Sequence, residues 1–321
     1  MILVASLNPA IDVRLEIERL QPGEVHRVGR QVAFAGGKGR HVAETASLLG
    51  AAVRMTGFLA GAEGEWFQRE LEAGGIQSDF QFIKGRTRRC LALFEREGRV
   101  TEILEPGPEV KPSDLDLLHK KIVRSFEDSR IMVLSGSLPP GVPGDFYNRL
   151  IQEGHSRGII SLLDTSGIWL KKGLKGRPFA VKPNQEEFEE LQTDSGDIAS
   201  GLLELQRMGI SLPILSVGSQ GLFFCWEDKV GRVQPPQVEA VNAVGSGDCL
   251  MGGLAHALDK GEGPLEGLRQ GAACGAANAL TTETGFFRKD DYLTILSQVQ
   301  LVWPFQSQAS GLKPQASKGD Q

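Results

Sequence analysis

The chain has 321 residues, 40% of them hydrophobic, which is enough for one large α/β domain with a small appended layer or for two modest domains. Its 40 acidic side chains slightly outnumber its 35 Lys and Arg side chains, a balance that favours neither nucleic acid nor an anionic membrane as a partner. Small-molecule partners are therefore expected.

The cysteines predict neither a disulfide scaffold nor a thiol-based metal site. Cys90, Cys225, Cys249 and Cys274 form no C-x-x-C pair, and the first ten residues lack the basic and apolar segments of a secretory signal. No apolar run approaches the roughly 20 residues that cross a bilayer. These features predict a cytoplasmic protein without membrane contact.

Short apolar runs alternate with helical patterns along the chain. The runs predict strands at Ile2–Ser6, Arg54–Phe58, Ile131–Ser135, Ile159–Asp164, Phe179–Lys182 and Leu212–Val217. Apolar residues that recur with a period of 3.6 residues predict helices at Val42–Leu49, Trp66–Ala73, Leu115–Phe126, Phe146–Ser156, Glu186–Leu191 and Leu202–Met208. This alternation predicts an α/β fold with a mostly parallel central sheet and helices on both faces.

Two segments interrupt that alternation, Val13–Phe34 and Phe80–Leu104. Period-2 patterns occur at Val25–Val28 and Arg89–Phe94 without intervening helices, which predicts a separate small β-sheet. We expect it to form a lid over the C-terminal ends of the main strands, with an exposed face that is a candidate homodimer interface. The domain assignment is 1–302, with the lid from about 13–34 and 80–104, followed by a disordered polar tail at 303–321.

The strongest chemical signal is a glycine-rich turn that opens a helix, V-N-A-V-G-S-G-D at 241–248. The unpaired N–H groups of Gly245, Ser246 and Gly247, together with the helix dipole, predict an anion site suited to a phosphoryl group. Asp248 adjoins this site, where a carboxylate can accept a proton from an attacking hydroxyl. The alternative is an ordinary acidic first-turn residue beside glycines needed for packing.

The tetrapeptide Gly36–Gly39 is a second signal. Glycines let a ligand approach the backbone, and Lys38 supplies a positive charge, although the same pattern fits a plain turn. It is not a P-loop, because Val32 and Gly39 stand where that motif needs Gly and Ser or Thr. The chain also lacks a G-x-G-x-x-G fingerprint, which disfavours dinucleotide binding.

Three weaker signals each have a structural alternative. Asn184 is a natural N-cap and Glu187 would complete a capping box, yet their oxygens near the end of a strand also suit Mg²⁺. Ser137 lies in a turn after a strand, where loop chemistry is the plain alternative. Arg88 lies in a basic run that either binds a phosphate or is simply solvated.

Taken together and in this order, the motifs resemble those of the ribokinase-like (PfkB) carbohydrate kinases, in the branch of 1-phosphofructokinases and tagatose-6-phosphate kinases. The resemblance covers residues 1–302, and its markers are LNPAID, GGKG, TGFLAG, TRRCLAL, TEILEPGP, SGSLPPGVP, DTSG, VKPNQEE, SVGSQG and VNAVGSGD. It implies a ribokinase-like fold whose β lid often forms a dimer clasp, with ATP as phosphoryl donor and Mg²⁺ as cofactor.

The resemblance also implies roles for individual residues. Asp248 matches the catalytic base, with an anion hole at Gly245, Ser246 and Gly247. The acceptor-sugar contacts of the family match Asp12, Gly37, Lys38 and His41, and its sugar-phosphate site matches Arg88 and Ser137. The nucleotide site matches Lys182, Ser216, Gly218, Gly221 and Asn278. The Mg²⁺ motif matches Asn184 and Glu187, which would act through water.

The sequence departs from the family at Arg40 and His41, which stand in place of a hydrophobic residue and an Asn that commonly touches the acceptor sugar. The C-L-A-L strand and the VGSGD form of the base motif resemble the tagatose-6-phosphate kinases. The expected function is ATP-dependent phosphorylation of tagatose 6-phosphate or fructose 1-phosphate to the bisphosphate. Alternatives are a kinase of fructose 6-phosphate, of an unphosphorylated sugar or of a nucleoside, and a non-catalytic sugar-phosphate sensor.

Overall fold

A computed structural model of the protein describes residues 1–191 and 197–304. The strands are β1 Ile2–Ala5, β2 Ala10–Ile17, β3 Arg30–Gly36, β4 Val53–Thr56, β5 Phe58–Ala60, β6 Gln77–Ser78, β7 Gln81–Ile83, β8 Arg88–Glu95, β9 Val100–Leu104, β10 Ile131–Ser135, β11 Ile160–Asp164, β12 Ala180–Val181, β13 Leu212–Ser216, β14 Leu222–Trp226, β15 Lys229–Gln234 and β16 Gln300–Val302. The α-helices are α1 Lys38–Leu48, α2 Gly61–Ala73, α3 Pro112–Ser125, α4 Phe146–His155, α5 Gly167–Gly173, α6 Gln185–Leu191, α7 Ile198–Arg207, α8 Ser246–Lys260, α9 Pro264–Ala279 and α10 Lys289–Leu296.

The main sheet has ten strands in the order β16-β15-β14-β13-β12-β11-β10-β1-β4-β6. The seven strands from β13 to β6 are parallel, and β14, β15 and β16 add an antiparallel edge. Alternate residues of β1 pack in opposite directions: Ile2 and Val4 join a core with α1, α8 and α9, whereas Leu3 joins a core with α3, α4 and α7. The predicted α/β fold with helices on both faces is confirmed.

A second sheet of four strands, in the order β3-β2-β8-β9, forms the predicted lid. Its central pair, β2 and β8, is parallel, and the outer strands run antiparallel to their neighbours. Ile11, Val13 and Ala35 bury one face of the lid against the main core. Asp12, which alternates with Ile11 and Val13, points from the opposite face into a cleft above the main sheet.

Parts of the lid prediction are wrong in detail. The pattern at Val25–Val28 lies in the loop between β2 and β3, where Val25 is 89% exposed and His26 hydrogen-bonds locally with Gln21. An alternating pattern forms a strand only where a neighbouring strand pairs with it, and none of the described strands pairs there. Strand β7, within the predicted lid segment, pairs instead with β5 in a separate two-stranded sheet.

The predicted tail at 303–321 falls outside the described residues from 305 onward. Trp303 is described, and its indole N–H donates to the carbonyl oxygen of Trp226 at 3.3 Å. Among the described helices, none combines the length and the apolar character that crossing a bilayer requires.

The fold brings α1 and α8 into close contact because Gly252 has no side chain. A Cβ at Gly252 would lie 2.6 Å from the Cβ of Thr45 and 2.8 Å from the carbonyl oxygen of Val42, both in α1. Since α1 carries Lys38 and His41 while α8 carries Asp248, this contact sets the distance between the two halves of the predicted site.

We expect Gly252→Ala to lower the free energy of unfolding by about 1–2 kcal/mol, because overpacking strain of about 2–3 kcal/mol exceeds the gain of about 1 kcal/mol in helix propensity. Urea unfolding measures the change. The matched control is Gly29→Ala, whose Cβ would meet only the Glu16 carbonyl oxygen, at 3.5 Å, and should shift stability by less than about 0.5 kcal/mol. Equal stability of the two variants would contradict the close helix contact.

Candidate active site

The cleft between the lid and the main sheet has a volume of about 1280 Å³. Its walls include every residue that the sequence predicts for the site except Glu187 and Asn278. Several of these residues lie at or just after the C-terminal ends of parallel strands, as Lys182 does after β12 and Ser216 at the end of β13. This is the edge of an open α/β sheet where ligands bind.

The glycine-rich turn begins α8, as the sequence predicts. Gly245 is the N-cap residue with φ of 84°, a left-handed conformation that glycine adopts without strain. A Cβ at Gly245 would also lie 2.8 Å from the backbone nitrogen of Gly285. The N–H of Ser246 donates to the carbonyl oxygen of Ala243 at 3.2 Å, so the prediction that it is unpaired is wrong. The residues of the turn line the cleft next to Asp248.

Asn278 braces this turn from behind. Its side chain is fully buried and donates to the carbonyl oxygen of Val244 at 2.9 Å and to the hydroxyl of Ser246 at 3.1 Å. Its amide oxygen accepts from the N–H of Gly285 at 2.8 Å. The structure thus gives Asn278 a supporting contact with the anion turn, and the nucleotide contact predicted for it stays a prediction.

Asp248 is buried in the first turn of α8 and contacts His41. Asp248 Oδ2 lies 2.8 Å from His41 Nδ1, and the His41 side chain is also buried. Burial alone would lower the pKa of His41, but the hydrogen bond and negative charge of Asp248, together with the charges of Asp12 and Glu44, raise it above the usual value. The imidazole is therefore held against the carboxylate by one hydrogen bond, and its raised pKa favours the charged form of the ring.

A second charged group lies across the floor of the cleft. Asp164 Oδ1 lies 3.4 Å from the ammonium nitrogens of both Lys38 and Lys182. Burial opposes ionisation of Asp164, yet the charges of Lys182 and Lys38 lower its pKa below the usual value. The charge of Asp164 in turn raises the pKa of Lys38, despite the burial that opposes it.

Lys182 reaches the anion turn directly. A Cβ at Gly247 would lie 3.1 Å from Lys182 Nζ, so the missing side chain leaves room for the ammonium group beside the first N–H groups of α8. The predictions placed Lys38 and Lys182 at the site but not Asp164. Its position as the last residue of an apolar strand was the available signal, because polar residues at such ends share one edge of the sheet.

The acceptor side of the cleft is formed by Asp12 and the start of α1. The N–H of Gly37 donates to Asp12 Oδ2 at 3.2 Å. Burial raises the pKa of Asp12, although the charges of His41, Arg88 and Arg40, with the Gly37 hydrogen bond, oppose that rise. The charge of His41 thus acts on Asp12 across the start of α1, and the acceptor-sugar contacts predicted for Asp12, Lys38 and His41 stay predictions.

Arg88 and Ser137 meet through a residue that the predictions left out, Asn8. Arg88 Nε donates to the carbonyl oxygen of Asn8 at 2.9 Å, and the Asn8 amide donates to the hydroxyl of Ser137 at 3.1 Å. The next residue, Arg89, extends to the other side of β8 and pairs with Glu63 at 2.9 Å. One of the two adjacent arginines therefore faces the cleft.

The capping box at the start of α6 forms as predicted. The N–H of Asn184 donates to Glu187 Oε2 at 2.9 Å, and the N–H of Glu187 donates to Asn184 Oδ1 at 2.8 Å. Within residues 1–191 and 197–304, no three acidic, His or Cys side chains are arranged to hold a metal. An amide and one carboxylate near the phosphate-binding edge fit an ion such as Mg²⁺, which keeps waters and uses few protein ligands.

The far end of the cleft is apolar. Gly218 and Gly221 have φ values of 57° and 87° in the turn after β13, and Ser216 Oγ donates to the carbonyl oxygen of Pro183 at 3.2 Å. The cleft lining also includes a group of apolar residues, Leu222, Pro235, Pro236, Val238, Ala276 and Ala279. These residues carry no sequence motif, which is why the predictions lack them.

Comparison with known proteins supports the same assignment. The model of the pfkB family carbohydrate kinases matches residues 1–290. The tagatose-6-phosphate kinase of Staphylococcus epidermidis is 32% identical over 309 residues, covering 94% of this chain and 99% of that protein.

Solved structures give the same result for the fold. The phosphofructokinase-2 of Escherichia coli, solved with fructose-6-phosphate, has a TM-score of 0.83 and 26% identity, covering 92% of this chain and 98% of that one. A ribokinase of Thermotoga maritima, 19% identical, covers 92% of this chain and 99% of its own with a TM-score of 0.77, which shows the fold alone. The predicted resemblance is confirmed: the chain belongs to the pfkB family of carbohydrate kinases and has their ribokinase-like fold.

Proposed function

We propose that the protein transfers the γ-phosphoryl group of ATP to a hydroxyl of a ketohexose phosphate, tagatose 6-phosphate or fructose 1-phosphate, and so forms the bisphosphate. The observation that carries this proposal is the position of Asp248, a buried carboxylate in the cleft at the mouth of the glycine-opened helix α8. A base and an anion site on the same turn are what phosphoryl transfer to an alcohol needs.

In this mechanism the acceptor hydroxyl oxygen forms a bond to the γ-phosphorus while the bond from that phosphorus to the bridging oxygen of ADP breaks. Asp248 takes the hydroxyl proton. The N–H groups at the start of α8 stabilise the transferred phosphoryl group, and Lys38 and Lys182 neutralise its charge. Mg²⁺ supplies further neutralisation when bound, with Asn184 and Glu187 as the residues that would hold its waters.

The choice of acceptor rests on the sequence and on the relatives. The C-L-A-L strand and the VGSGD turn favour tagatose 6-phosphate, in line with the name of the 32% identical relative. Fructose 6-phosphate stays an alternative, because the structurally similar phosphofructokinase-2 was solved with that sugar phosphate. A non-catalytic sensor is disfavoured, since a sensor needs neither Asp248 nor the anion turn. The cytoplasmic location stays a prediction.

We expect Asp248→Asn to lower turnover by about 10²–10⁴-fold, because the amide cannot accept the hydroxyl proton. The measurement is ADP release with tagatose 6-phosphate, fructose 1-phosphate, fructose 6-phosphate, ribose and adenosine as acceptors. ATP binding, measured by calorimetry, should change little.

Asp197→Asn is the control, because Asp197 is an exposed N-cap of α7 outside the cleft. Undiminished turnover in Asp248→Asn would remove Asp248 from the mechanism. If none of the acceptors increases ADP release by the native protein, the proposal that it is a kinase of these substrates is wrong.

We expect Arg88→Ala to raise the KM for a phosphorylated acceptor by about 10–100-fold, the value of one charge-assisted contact with the phosphate already on the sugar. The KM for ATP should stay unchanged. Arg89→Ala is the matched control, because Arg89 pairs with Glu63 on the other side of the same strand. An equal KM in Arg88→Ala and the native protein would exclude Arg88 from a phosphate site.

We also propose that two copies join through the lid face that carries Asp12. Where it lines the cleft, this face presents Val32, Val100 and Leu104, which are 38%, 43% and 60% exposed, beside the charged side chains Arg14 and Glu102. The register places these residues on one face, with Val32 opposite Arg14 and Glu102 opposite Ala92. An apolar strip rimmed by both charge signs is typical of an interface between copies.

Light scattering during size exclusion tests this interface. We expect the native protein to elute as a dimer or a higher even oligomer. The double variant Val32→Glu with Val100→Glu should elute as a monomer, because association would bury the two introduced carboxylates without partners. Leu117→Glu, at a 47% exposed position of α3, is the control that should not change the mass. A monomeric native protein, or an oligomer that survives the double substitution, would contradict the lid interface.

A further inference from the structure

The two oxygens of Asp248 have different surroundings. Oδ2 lies 2.8 Å from His41 Nδ1, a distance at which the ring N–H donates to the carboxylate. Oδ1 has no hydrogen-bond partner among residues 1–191 and 197–304. One oxygen of the proposed base is therefore held, and the other is left for the acceptor hydroxyl.

The His41 ring makes one hydrogen bond and is packed tightly against Gly285. It lies in the first turn of α1, and its Nε2 atom is buried with no hydrogen-bond partner in the described part of the chain. Gly285, with φ of 75°, packs directly on the ring, and a Cβ there would overlap it. Packing therefore fixes the ring plane, and within the described residues Asp248 is its only hydrogen-bonding partner.

Charged groups face His41 from three elements. Asp248 faces it from α8, Asp12 from β2, and Glu44 from one turn further along α1. Arg40 on α1 binds Glu44 and the carbonyl oxygen of Ala35, and Glu283 acts on Glu44 from the loop after α9. The acids around the imidazole favour its charged form, which strengthens the hydrogen bond to Asp248.

We propose that His41 is a positioning residue for the general base: its Nδ1–H group holds Oδ2 of Asp248, so that Oδ1 is presented to the acceptor hydroxyl. This rests on the proposed function. It assigns to His41 a contact with the base, whereas the resemblance assigns its position to the acceptor sugar. The anchored carboxylate loses less freedom when the hydroxyl arrives, which is how a fixed base lowers the barrier.

Two substitutions separate the hydrogen bond from the ring. In Asn the amide nitrogen is bonded to Cγ, as Nδ1 is in His, so His41→Asn keeps a donor near the same point. His41→Leu removes the donor. We expect kcat to fall by about 10–100-fold in His41→Leu and by less than about threefold in His41→Asn, with the KM for ATP unchanged in both.

The pH dependence of activity distinguishes this positioning role from a merely structural role, which would leave that dependence unchanged. In the native protein the raised pKa of His41 favours a positively charged ring, whose Nδ1 lies 2.8 Å from the carboxylate of Asp248. Neither variant carries the charge. We therefore expect activity to be lost at a higher pH than in the native protein as the pH falls, by about one unit, in both variants.

A third measurement does not use activity. The imidazole nitrogen resonances of His41 should titrate at a lower pH in Asp248→Asn than in the native protein, because the partner charge is gone. Thermal unfolding of each variant shows whether it is folded at the assay temperature.

Turnover in His41→Leu within about twofold of the native value would overturn the proposal. So would an unshifted acid side in both variants, or an unchanged His41 titration in Asp248→Asn. Any of these results can occur while acceptor-dependent ADP release persists in the native protein, which separates failure of this inference from failure of the proposed function.

Discussion

A buried carboxylate shared by two ammonium groups ties the parts of the cleft together. Asp164 ends β11 in the middle of the main sheet, Lys38 begins α1 after the lid strand β3, and Lys182 follows β12. A buried carboxylate without a partner would be costly, so the chain segments that carry the two lysines are drawn to one point. The two ammonium groups and the carboxylate together carry a net charge of +1, and this net positive charge lies next to the anion turn.

The anion turn itself is held by neutral hydrogen bonds. Asn278 links the carbonyl of Val244, the hydroxyl of Ser246 and the N–H of Gly285, which fixes the turn from three sides. Fixed dipoles stabilise a developing charge without having to reorient, and this effect is larger where water is excluded. The lid sheet that contributes Asp12 and the anion turn line the same cleft.

The sequence predicts most of the parallel strands and the helices α1, α2, α3, α4, α6 and α7, because each has a local signature: an apolar run for a buried strand and a period of 3.6 residues for a covering helix. It does not predict β6, α5, α9 or α10. The motifs and the family resemblance single out some of the residues that line the cleft, but most of the lining carries no motif. The sequence also does not predict β14 and β15, which form a local hairpin, or β16, which pairs with β15 from a distant part of the chain. Val25–Val28 shows the converse, a strand pattern with no pairing partner among the described strands.

The contacts that sequence reasoning missed are pairs rather than single residues. Nothing local to Asn8 indicates that it joins Arg88 to Ser137, and nothing local to His41 indicates that it meets Asp248, which is 207 residues away. The His41–Asp248 pair arises from the packing of α1 against α8, and that packing depends on Gly252, a residue with no chemistry of its own.

The Asn184–Glu187 motif shows why a structural and a functional interpretation of the same residues need not compete. The capping box uses one oxygen of each side chain, which orders α6 at the edge of the sheet where phosphates would lie. The Glu187 carboxylate also raises the pKa of Lys38, so its negative charge acts within the cleft. The residue types that begin a helix well are also those that the proposed Mg²⁺ site would use at this position.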